Sequence, residues 1–307
     1  MSFKDPHFPV KLKVAVFGHI LVWPFRSRIS RRRVRGKVIA DAVSSYYDRY
    51  VPFIKSLEPA AVIPEGKSSG DGHLFSIWLQ GEHQAPDIVK ACWRSVRANC
   101  GDELVILDEK TLFDWVSLPG YVIDKWRQGK IGNAHFADIC RLDLLSRHGG
   151  LWLDATDFVA HPLPDWIMSS DFFVFMSGDT IRSQYSFVQN CFIRAARGNF
   201  LVRGWRDLSL EYWRNEDRVV DYYMHQLLFR KFVENNEEAA RQFSVMPKLE
   251  QDPTHTVWYG YADKPFDLDT WNRLTLAAPF QKTDYKSSPA YHPVQGSFAD
   301  TMLKMYC

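Results

Sequence analysis

The sequence predicts a mixed α/β fold, and three observations carry that prediction. From His73 onward, short apolar runs of strand length alternate with segments whose apolar residues recur at helical spacing. The 307 residues are 46% hydrophobic, enough to bury one substantial core. No internal repeat or low-complexity tract of consequence breaks the pattern. The simplest division is a short N-terminal helical appendage with its linker over residues 1–72 and one large domain over 73–307.

Within the appendage, the apolar run Val14 to Phe25 is interrupted by Gly18, His19 and Pro24. It falls short of the ~20 residues that a membrane-crossing helix needs. Arg26, Arg28, Arg31, Arg32, Arg33 and Arg35 follow where a signal peptide would place small residues for cleavage, so export is not expected. An apolar stretch beside an arginine cluster suits an anionic membrane surface, where each basic group contributes about 1 kcal/mol. A solvated basic face on an ordinary helix accounts for the same residues. The stretch "EGKSSGDG", residues 65 to 72, has the composition of a flexible junction.

The main domain opens with "HLFSIWLQ", a strand, and "PDIVKACWRSVRANC", a helix with Pro86 at its start and Ile88, Cys92, Trp93 and Val96 at helical spacing. "ELVILD" is a second buried strand, whose Asp108 can cap the helix "EKTLFDWVS". "NAHFADICRLDLLSRHGG" is a helix with Asn133 as its cap, Ala137, Cys140, Leu144 and Leu145 facing inward, and Gly149 as its stop. "GLWLDA" is the strand that leaves it. Two more apolar runs, "DFFVFM" and "SFVQNCFIRA", and helices around "FLVRGWRDLSLEYW" and "VVDYYMHQLLFRKFV" complete the body.

Composition removes whole classes of function. A net charge of +2, from 38 basic against 36 acidic residues, is too even for a surface that grips nucleic acid. The five cysteines are scattered without a CxxC pair, which points to reduced thiols and a cytoplasmic setting. Eleven tryptophans would suit stacking on sugars or bases, although large aromatics ordinarily fill cores.

Chemistry concentrates in "GGLWLDATD", residues 149 to 157. Alternation along the strand places Leu151 and Leu153 on one face and Trp152 with Asp154 on the other. Asp154 then emerges at the strand's carboxyl end, where ligands of α/β sheets collect. A carboxylate there needs a partner, and a hard divalent cation is an economical one. Asp154, Thr156 and Asp157 offer oxygens for Mn²⁺ or Mg²⁺, which would bridge to a diphosphate. "DLD" at residues 267 to 269 has no strand before it and is predicted to cap a helix instead. On the preceding helix, Asp138 and Arg141 stand three apart. They form either an intrahelical ion pair or a pair that projects into the crevice and holds sugar hydroxyls.

The ordered set "FADICRLDLLSRHGGLWLDAT" resembles the signature of the capsular-polysaccharide-synthesis-type glycosyltransferases, which are similar to glycosyltransferase family 32. Similarity extends over about residues 73 to 290, through "GKIGNAHFADICR", "NCFIRAARGN", "YWRN" and "DYYMHQLLF". The resemblance implies a GT-A fold and transfer of a sugar from a UDP- or GDP-sugar to a glycan or lipid-linked acceptor, with retention of anomeric configuration. It implies catalytic roles for Asp138, Arg141 and Asp154, with Asp138 and Arg141 holding the donor sugar and Asp154 in the metal-binding motif. By the same analogy Trp78 lies near the donor base, Lys282 meets phosphate, and Asn190 and His225 line the acceptor side. Two positions depart from the pattern: Thr156 stands where a DxD motif has its second aspartate, and Gln281 in "FQKTDYK" stands where histidine is usual. No residue declares itself as covalent nucleophile or base. Rival readings are a metal-dependent nucleotide-sugar hydrolase or nucleotidyltransferase, and a noncatalytic carbohydrate-binding protein at a membrane surface.

Overall fold

The computed structural model describes residues 41–59, 72–101, 103–178 and 186–306. The arginine cluster with its apolar run, most of the predicted junction and Cys307 lie outside the described residues.

Strands β1 (Leu74–Ile77), β2 (Leu104–Leu107), β3 (Gly150–Leu153), β5 (Phe172–Met176) and β6 (Val188–Ala195) form one sheet in the order β2-β1-β3-β6-β5. β1 runs parallel to both β2 and β3, whereas β6 is antiparallel to β3 and β5. A separate antiparallel ribbon joins β4 (Asp157–Val159) to β7 (Phe280–Lys282). The main helices are α1 (Val51–Ser56), α2 (Asp87–Cys100), α3 (Asn133–His148), α4 (Phe200–Asn215), α5 (Met224–Asn235), α6 (Glu237–Val245) and α7 (Leu268–Ala277). The mixed α/β architecture expected from the sequence is the one found, with helices packed around a central sheet.

α3 is the backbone of the site. Its sequence carries apolar residues on more than one face, and Phe136, Ile139, Cys140, Leu142, Leu144 and Leu145 are all fully buried. A helix enclosed on all sides must pair its own charges, because an unpartnered buried ion is heavily penalised. Asn133 does not cap it: Gly132 occupies that position, and the Asn133 side chain accepts a hydrogen bond from Trp126 Nε1 at 2.9 Å. Gly149, at φ 69°, closes the helix, its N–H bonded to Leu145 O at 2.9 Å.

Gly150 then starts β3 at φ 101°, a region that L side chains avoid. A Cβ at this position would lie 2.2 Å from His73 O, so only glycine lets β3 close against β1. The adjoining Leu151 N–H donates to that same oxygen at 2.9 Å.

Residues 41–59, within the span read as appendage, pack on the main body. Tyr47 and Ile54 are fully buried, Tyr46 Oη donates to Glu216 at 2.7 Å, and Asn236 Nδ2 donates to Ile54 O and Leu57 O at 3.0 Å each. Among the described residues no helix is long and apolar enough to cross a membrane.

Candidate functional site

β3 pairs antiparallel with β6, and its last residue, Leu153, stands opposite Phe192 in the middle of that strand. That register sets Asp154 beside Asn190 and Cys191, and Asp154 N–H donates to Cys191 O at 2.9 Å. The chain turns at once. Asp157 N–H returns to Asp154 O, and Asp157 Oδ2 accepts from Asp154 N–H, each at 2.9 Å. β4 follows from this turn, and its partner β7 places Lys282 opposite Asp157.

A cavity of about 480 Å³ opens over this junction, lined by Trp78, Asp138, Arg141, Asp154, Asn190 and Lys282 among others. A larger one of about 630 Å³ lies elsewhere, against Phe172 and Arg197, but none of the acidic constellation faces it. The smaller cavity is therefore the candidate site.

Asp138, Arg141 and Asp154 meet there. Arg141 NH2 lies 3.1 Å from Asp138 Oδ1 and 3.3 Å from Asp154 Oδ1, and its guanidinium stacks 4.7 Å above the Trp152 ring. Trp152 Nε1 also donates to Asp154 Oδ1 at 2.9 Å, as expected for side chains on one face of the strand. Asp138 and Arg141 thus form an intrahelical ion pair, and that pair lines the cavity.

Asn190 supports the pair by donating its Nδ2 to Asp138 Oδ1 at 2.8 Å, while its own Oδ1 accepts from Gln226 Nε2 at 3.1 Å. His225, expected on the acceptor side, is 1% exposed, stacks on Trp205 at 4.5 Å and does not line the cavity. One residue along a helix is a rotation of about 100°, so Gln226 takes the cavity-facing position and His225 turns into the core. Trp78 lines the cavity with its ring perpendicular to Tyr285, centroids 5.1 Å apart.

Lys282 Nζ donates to Asp154 Oδ2 at 2.9 Å, Thr156 Oγ1 at 2.8 Å and Asp157 Oδ1 at 3.0 Å. These are the three residues expected to hold a divalent cation. Their hard oxygens do converge on one point, which is the donor chemistry Mn²⁺ or Mg²⁺ favours, and an ammonium stands at that point. Among the described residues, this turn included, no group of three or more His, Cys, Asp or Glu side chains is placed to hold a metal ion. Gln281 faces the other side of the ribbon, fully buried, with its Nε2 on Ala278 O at 2.8 Å and its Oε1 accepting from Val257 N–H at 3.2 Å. The "DLD" at 267 to 269 lies apart: Asp267 caps α7 by accepting from Thr270 N–H at 2.8 Å.

Residues 20–301 match the sequence model of a family described as capsular polysaccharide synthesis protein. The chain belongs to that family. It is also 32% identical over 100 residues to O-glycosyltransferase braB of Annulohypoxylon truncatum, a match covering 31% of this chain and 24% of that protein. The chain thus spans about a quarter of the length of this relative. Among solved structures it is similar to the PaToxG glycosyltransferase, at 13% identity and a TM-score of 0.36, over 69% of this chain and 84% of the other.

In this family member, charge is arranged by burial and pairing together. Burial favours a neutral Asp138, but Arg141, with the two nearby imidazoles, overrides it and holds the carboxyl below the ordinary range. Asp154 is treated alike, with Lys282 and then Arg141 opposing burial. For Asp157 burial wins over Lys282, and its carboxyl is pushed up to about 8. Burial lowers His225 to about 3, against the pull of Asp138, so it is a neutral imidazole.

Sequence reasoning missed His135, whose Nδ1 lies 3.3 Å from Asp138 Oδ2, and Tyr222, which lines the cavity although 66% exposed. His135 was legible in principle, standing three before Asp138 on the same helix. Tyr222 and Gln226 offered no local signal.

Proposed function

We propose that this family member is a glycosyltransferase that moves a sugar from a nucleotide-diphosphate donor, a UDP- or GDP-sugar, to a glycan or lipid-linked acceptor in cell-surface polysaccharide synthesis. The observation that carries the reading is the meeting of Asp138, Arg141 and Asp154 at the carboxyl end of a central strand, beside Lys282 in one cavity.

In this scheme Asp138 accepts hydrogen bonds from donor-sugar hydroxyls, oriented by Asn190 and His135. Arg141 faces the charge that develops as the diphosphate departs. Trp78 and Tyr285 offer aromatic edges and faces to the base. Mn²⁺ or Mg²⁺ held by Asp154, Thr156 and Asp157 would supply further neutralisation of the diphosphate. Asp138 and Asp154 are both tied to Arg141, an arrangement suited to holding charge and not to attacking carbon. We therefore assign the acceptor's proton to the departing diphosphate oxygen, a front-face transfer that retains configuration. The cytoplasmic face of a membrane is the setting that the arginine cluster suggests.

Purified protein supplied with a panel of UDP- and GDP-sugars, acceptor extract and Mn²⁺ tests the reading. Acceptor-dependent transfer that falls at least about hundredfold in Asp154→Asn supports it. Nucleotide release indifferent to acceptor identifies a hydrolase instead. Comparison of donor and product anomers by NMR decides between retention and inversion.

A further inference from the structure

The three N–H groups of Lys282 are fully used by Asp154, Thr156 and Asp157. The oxygens they meet have little else to give up. Asp154 Oδ1 is already held by Trp152 and Arg141, and Asp157 Oδ2 by the Asp154 N–H that shapes the turn. The three oxygens converge on Lys282 Nζ, so a divalent ion that takes all three at that point does so as the ammonium leaves. The lysine has somewhere to go, since its side chain is 15% exposed along the cavity wall that also carries Lys286 and Arg141. A diphosphate in the cavity offers it oxygen acceptors of full charge.

We propose that Lys282 is the resident counter-ion of the acidic turn and couples the two ligands of the site: a divalent cation enters as the ammonium leaves, and the diphosphate receives it. Cation and diphosphate then strengthen each other's binding by the same factor, as linkage requires. Only the identity of the diphosphate rests on the glycosyltransferase reading; the exchange with a cation does not.

The test therefore begins with the metal alone. Mn²⁺ binding is followed through the EPR signal of the free ion, in the absence of nucleotide, for the full chain, for Lys282→Met and for Lys282→Met combined with Asp154→Asn. Lys282→Met is expected to bind Mn²⁺ about tenfold or more tightly than the unaltered chain, because no charge-assisted hydrogen bonds remain to be displaced. The double variant should lose that gain. Equal affinity in Lys282→Met and the unaltered chain overturns the proposal. A second measurement needs no variant: amine acetylation of Lys282, read by mass spectrometry, should rise with millimolar Mg²⁺. It should fall again when inorganic pyrophosphate is added with Mg²⁺ kept in excess. Labelling indifferent to Mg²⁺ also overturns it. A chain that shows the exchange but transfers no sugar keeps this proposal and loses the glycosyltransferase reading; transfer without exchange does the reverse.

Discussion

Replacing Gly150 by alanine tests how the fold positions Asp154. The residue sits at φ 101°, where a side chain costs about 1–3 kcal/mol in backbone strain. The added Cβ would also lie 2.2 Å from His73 O, well inside van der Waals contact, and the obstacle is backbone in the adjacent strand. Relief requires β3 to move away from β1, at the expense of the Leu151 N–H to His73 O bond, about 1 kcal/mol more. With the cost of imperfect repacking, Gly150→Ala should lose about 3–5 kcal/mol. Gly129→Ala is the control, with φ 71° but open space around its Cβ, and should lose only about 1–2 kcal/mol. Urea unfolding followed by circular dichroism measures both. If the two variants lie within about 1 kcal/mol of each other, close strand approach is not the reason for this glycine.

Burial holds the folded-state pKa of His225 at about 3, down from 6.5, so the unfolded chain binds the extra proton as pH falls from 6.5 towards 3. Stability from this group is complete above pH 6.5 and declines below it, by up to about 1.4 kcal/mol per pH unit. His225→Phe keeps an aromatic ring against Trp205 and should flatten the decline in urea titrations between neutral pH and pH 4; parallel curves would contradict this. Asn199 caps α4 by accepting from Leu201 N–H at 2.9 Å and Val202 N–H at 3.3 Å, so Asn199→Ala should lower stability by about 1 kcal/mol in the same assay. No measurable loss would place the cap's role elsewhere.

Much of the site was legible because its signals are local. The apolar run before Asp154 marks a strand, and strand alternation puts Trp152 and Asp154 on one face, as their 2.9 Å hydrogen bond shows. Helical spacing brings Asp138 and Arg141 side by side on α3, and the missing strand before "DLD" identifies Asp267 as a cap. The same local rules misplaced Asn133, because a side chain chooses the best hydrogen bond within reach and Trp126 supplied it.

Other features depend on which distant segments meet. The β3–β6 register brings Asn190 to Asp138 across 52 residues of chain, and the β4–β7 ribbon brings Lys282 to Asp157 across 125. The choice of Gln226 over His225 for the cavity depends on how α5 is rotated against its neighbours. Period and spacing fix the geometry inside an element, since covalent connection determines it. Pairing register and helix rotation are set by the whole core packing together, and it was these that delivered an ammonium to the oxygens of the acidic turn.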